Sequence, residues 1–540
     1  MINKKLLGFL SSFFIVALGQ PAWVGFLSPL AAILGYAVFW YTFNDHEKIQ
    51  SKIKISFFWF LFVQSVQLSW MTSIKYQGPY ILLVYLFVLI WLSLQFAVLT
   101  YFVYSRKITI LNGIFVSSIW TILEWSRLYF ISGFSWNPAA MAYATYSQSL
   151  QMASIAGVLG MSFYVIFGNY LFYRSAVYKK YWTTVLIVAI FPYLFGSLNI
   201  YFRDEGSKSL KALLVQTALP PDEKDGYLAS FNSLSPEYQW QRILIFLKES
   251  NQKADLIVLP EVAVPIEANR YEYSLEKVKQ IWIDEFGVSS LKNLPELTSE
   301  YAFLTFGDKW FVNNKFWAKA LSNQFNANII IGMYEMDFKR GETFNAALFF
   351  NQKNKQIKRY VKRVLVPIGE YFPFEWCRPI AEKLGIFDSF SAGNKSEVFS
   401  GVADMAVSIC YEETFSNIIR ECRLLPANLF INITNDVWFP NSKLPLQHFH
   451  HGKLRAVENG VPLIRACNTG ITGGVDCFGR VVKTLQSETL PFEKIKGALF
   501  IEIPLLHYKT LYTLLGDGFI VGLSFLCSIL IFRYFNSNRA

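Results

Sequence analysis

The sequence predicts an α-helical membrane bundle of eight spans joined to a water-exposed α/β domain. Three observations carry that reading. The 540-residue chain is 53% hydrophobic and 16% charged, against roughly a quarter charged in soluble proteins. The apolar excess is gathered in about the first 200 residues and the last 30. Between them lies a stretch of ordinary polarity, in which short Val/Ile-rich runs alternate with amphipathic segments. Such a length also exceeds what one hydrophobic core organises.

Apolar stretches able to cross a bilayer as helices need about 17–25 residues. Eight fit, at 5–20, 22–42, 55–75, 80–104, 108–130, 150–173, 181–199 and 511–533. The first resembles a signal-peptide core, but Gly19-Gln20-Pro21-Ala22 is a poor cleavage site and a second apolar stretch follows at once, so it reads as an uncleaved helix. Lys4, Lys5, Lys48, Lys52, Lys54, Arg106, Lys107, Arg174, Lys179, Lys180, Arg533 and Arg539 fall on one side, and Lys75 and Arg127 on the other. That bias places both termini in the cytoplasm and the polar domain across the membrane, in the periplasm of a Gram-negative bacterium. The predicted regions are 1–204 (seven helices), 205–508 (catalytic domain) and 509–540 (last helix).

Strand candidates in the domain are 211–217, 255–261, 328–335, 345–351, 404–410, 428–433, 462–467 and 497–503. Their alternation with helical patterns predicts a layered α/β fold. The net charge of +11 is scattered and flanks apolar stretches, which speaks for membrane topology and against a nucleic-acid surface. Cys377, Cys410, Cys422, Cys467 and Cys477 lie in the domain without CxxC spacing, and Cys527 in the last apolar stretch. A zinc ribbon is therefore not expected, and the cysteines other than Cys410 are free to pair or stay reduced. His448 and His451 fit one helix face, with His450 turned away and no further metal ligand nearby. Gly470, Gly473 and Gly474 lack the strand–loop–helix context of a phosphate loop.

Three residues stand out chemically. Glu261 closes the apolar run Leu256-Ile257-Val258-Leu259-Pro260, and Cys410 closes Met405-Ala406-Val407-Ser408-Ile409. Lys362 lies between them, eight residues before Glu370. Each alone has a bland reading: a small core hydrophobe, a turn carboxylate, and one cation of the run Lys353, Lys355, Lys358, Arg359 and Arg363. Together they supply what thiol acyl transfer needs. An ordinary thiol is mostly protonated near neutral pH, so it needs a base, Glu261, and a positive group for thiolate and oxyanion, Lys362, with the Tyr411 N–H as a second donor.

That order of Glu, Lys and Cys resembles the nitrilase (carbon–nitrogen hydrolase) superfamily. With seven spans before the domain and one after, the whole chain resembles its apolipoprotein N-acyltransferase family. Further matching stretches are Ser132-Gly133-Phe134-Ser135-Trp136, Tyr146-Ser147-Gln148, Leu365-Val366-Pro367-Ile368-Gly369-Glu370 and Ile409-Cys410-Tyr411-Glu412. So are Asn435-Asp436-Val437-Trp438-Phe439, Gln447-His448-Phe449 and Arg455-Ala456-Val457-Glu458. The chain departs at Val215-Gln216-Thr217-Ala218-Leu219-Pro220, with the next tryptophan at Trp240, and in a longer, aromatic-rich insertion around Tyr271–Phe325.

The resemblance implies an αββα sandwich and catalysis by Glu261, Lys362 and Cys410. Glu370 would position Lys362 or Glu261, while Tyr411, Glu412 and Trp438 would support the nucleophile and substrate. It further implies an inner-membrane enzyme that needs no cofactor or metal. A phospholipid would donate its acyl chain, through a Cys410 thioester, to the α-amino group of a diacylglyceryl-modified apolipoprotein. Amphipathic rings favour headgroup depth, so Trp438–Phe439 and the 271–325 insertion are expected to be mobile, lipid-facing segments. A membrane-tethered amidase or nitrile hydrolase would use the same triad on water.

Overall fold

The computed structural model describes residues 4–45, 48–204, 206, 208–220, 235–354, 356–375, 378–379 and 390–537. Among the described residues the domain forms fifteen strands: β1 (Ser209–Gln216), β2 (Leu256–Val258), β3 (Tyr273–Ser274), β4 (Ala302–Leu304), β5 (Trp310–Val312), β6 (Asn328–Asp337), β7 (Glu342–Phe350) and β8 (Ile357–Val361), then β9 (Val398–Ser400), β10 (Asp404–Ile409), β11 (Leu429–Thr434), β12 (Leu463–Cys467), β13 (Gly473–Val475), β14 (Val481–Thr484) and β15 (Gly497–Pro504). They make two six-stranded sheets, ordered β15-β1-β2-β6-β7-β8 and β14-β13-β12-β11-β10-β9, and a small sheet β3-β5-β4. In each large sheet a parallel centre, β1-β2-β6 or β10-β11-β12, is flanked by antiparallel strands.

Successive residues of a strand face opposite ways, and β1 shows the consequence. Leu210, Ala212 and Leu214 enter the core between the sheets with Val407, Ile409, Ile431, Ile433 and Ile464. Leu213 and Val215 enter a second core, beneath helices Pro236–Glu249, Leu275–Phe286 and Asn314–Phe325. Helices Ser416–Leu424 and Leu444–Asn459 cover the far side of the other sheet. The layers therefore run α, β, β, α, as the resemblance implied. All eight strands predicted from the runs are present. Strands β3, β4 and β5 of the small sheet and β8, β9, β13 and β14 of the large ones escaped the sequence reading, β8 because Lys358 and Arg359 made it look like a charged loop.

The insertion is a correction. Residues 271–325 fold into the small sheet and two helices, and their large rings point inward: Tyr273, Trp282, Phe316 and Trp317 are buried, with Trp240 stacked on Trp317 at 5.5 Å. A ring pays for its immobilisation by losing water on both faces, and the helical layer over the first sheet offers that burial. The turn around β4, with Phe303, Leu304 and Phe306, presents large apolar side chains to the outside, as do Tyr271, Val288 and Leu297. Cys377 lies outside the described residues, whereas Cys410, Cys422, Cys467, Cys477 and Cys527 are free thiols.

Among the described residues five helices are long and apolar enough to cross a membrane: Gly25–Thr42, Ile81–Tyr104, Ala153–Tyr178, Trp182–Arg203 and Leu511–Ser537. The other three predicted spans coincide with Lys4–Leu18 and Ile110–Ser126, of 15 and 17 residues, and Ile49–Gln67, whose first turns carry Lys52 and Lys54. Aromatic packing holds the bundle interior, as in Phe39 on Trp59 at 4.5 Å and Phe60 on Phe96 at 4.6 Å. Helix Trp182–Arg203 instead turns Leu186, Ile187, Ile190, Phe191, Leu194 and Leu198 outward, an apolar surface that water would not tolerate.

The domain grips the bundle where two of its helices break. Gly157 adopts φ +64° inside Ala153–Tyr178. A side chain there would be strained, and its Cβ would come within 2.4 Å of the Tyr512 ring. The freed Val158 N–H donates to Glu458 Oε1 of the domain at 2.7 Å. Arg420, also from the domain, donates to the Tyr512, Thr513 and Leu514 carbonyls just before the break at Gly516. Backbone groups released by a kink need partners, and here the neighbouring domain provides them.

Candidate active site

Sites of α/β sheets form where parallel strands end, and Glu261 and Cys410 lie there. Three residues after β2 comes Glu261, held close to β6 because Gly332 has no side chain: a Cβ there would stand 2.6 Å from the Glu261 Cα. Cys410 follows β10 directly and takes φ +53°, a left-handed conformation costing a residue with a β-carbon about 1–3 kcal/mol. Lys362 follows β8, the strand paired to β7, and is 1% exposed. Its neighbours Lys358 and Arg359 are exposed, so the charge-run reading holds for them and fails for Lys362.

The Lys362 ammonium donates to Glu261 Oε1 at 3.2 Å and to Glu370 Oε1 at 2.7 Å. Asn345 Nδ2 bridges the same two oxygens at 2.8 and 3.3 Å. Glu370 is oriented by the Val366 N–H on its other oxygen at 2.8 Å. Burial works against the charge on Lys362, but the two carboxylates outweigh it and hold its pKa well above the ordinary lysine value. The Cys410 thiol is pushed up, first by burial and then by the Glu261 charge, with Lys362 pulling the other way. Its resting form is the protonated thiol, within the field of both groups.

Glu412 braces the arrangement. Its carboxylate accepts from the Tyr360 hydroxyl at 2.9 Å and from the N–H groups of Arg363 (2.5 Å), Val364 (3.1 Å) and Ile409 (2.8 Å). It thereby ties the segment after Lys362 to the strand before Cys410, and burial pushes its pKa up. The Tyr411 side chain leaves the site: its hydroxyl donates to the Gly133 carbonyl at 2.8 Å and its ring stacks on Trp136 at 6.0 Å. Ser132 donates to the Tyr371 hydroxyl at 2.5 Å. The Ser132–Trp136 stretch of the bundle is thus where the segments just after Cys410 and Glu370 dock. Trp438 is 40% exposed, while Phe439 packs on Trp70 at 4.8 Å, so only the first of that pair is free to meet a lipid.

The predicted residues Glu261, Lys362, Glu370, Cys410 and Glu412 therefore converge, while the Tyr411 side chain turns away and Trp438 stands at the edge. Asn345 was missed, since an asparagine inside a strand carries no signal until its register is known. Asn432 and His448 were missed too: Asn432 Nδ2 and His448 Nε2 lie 3.2 and 3.1 Å from the Cys410 carbonyl oxygen. The histidines do not act as one group. His448 faces Asp436 at 2.8 Å, His451 stands edge-on to Trp136 at 5.2 Å, and burial pushes His450 down to about 3. Among the described residues no cluster of three metal-ligating side chains is found.

Residues 219–489 match the family model described as carbon-nitrogen hydrolase, and residues 14–171 match that of the apolipoprotein N-acyltransferase N-terminal domain. The apolipoprotein N-acyltransferase of Chlamydia pneumoniae is 31% identical over 551 residues, covering 97% of this chain and 96% of that one. That of Chlamydia caviae is 31% identical over 553 residues, covering 98% of each. Among solved structures, a carbon-nitrogen hydrolase from Helicobacter pylori G27 aligns at TM-score 0.35 and 16% identity, covering 55% of this chain and 90% of that one.

Proposed function

The chain belongs to the apolipoprotein N-acyltransferase family, and from that premise we propose that it moves an acyl chain from a phospholipid to the α-amino group of a diacylglyceryl-cysteine, through a thioester on Cys410. The observation that carries this reading is the convergence of Cys410 with the Lys362–Glu261–Glu370 cluster where the α/β domain meets an apolar bundle. A half-buried thiol that rests protonated needs its base at the moment of attack. One ammonium between two carboxylates leaves a surplus negative charge, so Glu261 is ready to take that proton.

In the first half-reaction Cys410 Sγ bonds the ester carbonyl carbon while its proton passes to Glu261. The carbonyl oxygen becomes an oxyanion facing Lys362 and the Tyr411 N–H. Collapse breaks the carbon–oxygen bond, and Glu261 returns the proton to the departing lysophospholipid. The acceptor amine, with a reference pKa near 7.7–8.0, is partly neutral without help. It attacks the thioester, gives its proton to Glu261, and the amide leaves as Cys410 recovers its thiol. The steps are ping-pong because one thiol serves both substrates, and they call for no cofactor. Glu370 positions Lys362, Glu412 positions the strand end, and Trp438 offers an amphipathic ring to the lipid. The reading includes eight spans, a bacterial inner-membrane location, cytoplasmic termini and a periplasmic domain over residues 205–508, supported by the charge bias.

Intact-mass analysis of the purified protein with phospholipid tests the first step. One acyl chain should add at Cys410, and Cys410→Ala should carry none and transfer none to a lipopeptide. Transfer by the alanine variant above trace levels refutes the assignment, and release of free fatty acid with no lipopeptide product would make water the acceptor. Trp438→Ala should keep the melting temperature but lose turnover on bilayer-presented substrate. A stability loss with unchanged turnover would remove Trp438 from the lipid path.

A further inference from the structure

The backbone of Cys410, at φ +53°, is held through its carbonyl. Its carbonyl oxygen lies 3.2 Å from Asn432 Nδ2 and 3.1 Å from His448 Nε2. Asn432 Nδ2 also donates to Ser408 Oγ at 3.1 Å and to the Ser408 carbonyl at 3.4 Å, and carbonyls, which only accept, fix the sense of its amide. The other ring nitrogen of His448 faces Asp436 Oδ1 at 2.8 Å. Both partners of the ring are acceptors, a carbonyl and a carboxylate. A neutral imidazole has one N–H to give, so serving both takes a proton on each nitrogen.

The surrounding charges agree. Glu413 stands 3.6 Å from His448 Nε2 and is ion-paired with Arg465. Asp436, Glu413, Arg465 and His448 are all buried, and a buried charge without a partner is costly. Two carboxylates against Arg465 alone would leave one negative charge uncompensated, and an imidazolium restores balance. His451, one turn along the same helix, is held well below the ordinary histidine value by burial, Arg455 and His448, and so stays neutral.

A trans peptide is planar, with its C=O and N–H on opposite edges. A clamp on the Cys410 carbonyl therefore turns the Tyr411 N–H the other way. We propose that His448, an imidazolium backed by Asp436, is a positioning residue whose hold on the Cys410 carbonyl aims the Tyr411 N–H at the oxyanion. The inference rests on Cys410 being the nucleophile. It also removes His448 as a rival base to Glu261: with both nitrogens donating, the ring has no lone pair for the thiol proton.

The test compares an attack that needs an oxyanion hole with one that does not. Acylation of Cys410 by phospholipid builds a carbonyl oxyanion, whereas alkylation by iodoacetamide is a displacement at saturated carbon. Both are followed at Cys410 by peptide mass mapping, on full-length wild type, His448→Ala and His448→Gln in detergent micelles. His448→Ala should acylate on the order of 10²-fold more slowly, the scale of losing one oxyanion donor, and alkylate at nearly the wild-type rate. His448→Gln, whose amide still reaches the carbonyl, should recover most of the loss. Wild-type acylation by the alanine variant overturns the proposal. So does an equal loss in both reactions without rescue by glutamine, which would place the effect on the thiol or the fold. A wild-type enzyme that alkylates but never acylates sinks the nucleophile reading, and this proposal with it.

Discussion

Cys410 lies between two buried sets of acids and bases that differ in how their charges balance. Toward its thiol, Lys362 is shared by Glu261 and Glu370. Toward its carbonyl and the helix Leu444–Asn459, each carboxylate faces its own partner: Glu413 with Arg465 and Asp436 with His448. The difference separates chemistry from scaffolding. A set with surplus carboxylate can accept a proton and return it, whereas a matched set resists change because moving any one charge leaves its partner buried and alone. Cys410 is thus flanked on one side by a cluster with surplus carboxylate and on the other by matched pairs.

The sharpest way to break that contrast is to remove the shared cation. Lys362→Met should slow acyl-adduct formation by at least about 10³-fold, since it deletes the charged oxyanion partner and sets the carboxylates of buried Glu261 and half-buried Glu370 against each other. Its melting temperature should rise as the pH falls and those carboxylates take up protons. Wild-type acylation kinetics would show that the ammonium does not serve the oxyanion. On the matched side, Arg465→Met should act through stability, costing about 3–5 kcal/mol by stranding Glu413. Thermal unfolding reads this directly, and an unchanged melting temperature would mean that the pairing there is dispensable.

Glu458 provides the finest test. Burial raises its carboxyl to about 7, with Asp517 adding to the shift and Arg455 opposing it. A carboxyl whose pKa is raised in the folded state binds its proton better folded than unfolded. Its stabilising contribution is therefore complete at acid pH, below the ordinary carboxylate value, and is lost as pH climbs through 7. Wild-type stability should decline by about 1 kcal/mol between about pH 6 and 8 from this group. Glu458→Gln, which keeps an acceptor for the Val158 N–H, should flatten that part of the profile. A slope unchanged by the substitution would assign the titration elsewhere.

The features legible in the sequence are those written over a few neighbouring residues. Long apolar stretches, branched runs, and a thiol or carboxylate closing such a run need only local periodicity and composition to be seen. The eight strands and the residues Glu261, Lys362 and Cys410 were visible for that reason. Strand β8 was not, because a two-sided environment of exposed Lys358 and Arg359 and buried Tyr360 mixes the signals of loop and strand. The inward turn of Trp282 and Trp317 was not either, because an aromatic ring at a membrane protein's surface and one in its core look alike in one dimension.

By itself, the sequence determined that helices enclose an apolar layer, that an α/β domain hangs from them, and which acid, base and thiol that domain presents in chain order. Only the tertiary structure decided how those groups meet. Lys362 reaches Glu261 across 101 residues because β8 pairs with β7 and β7 with β6, placing both strand ends on one edge. Asn345 bridges the two carboxylates through the register of β7. The clamp on the Cys410 carbonyl joins β11 to a helix begun after β11 has ended. Hydrogen bonds of this kind depend on distances of a few tenths of an ångström between elements. Sheet order and packing set those distances, and no local pattern of residues encodes them.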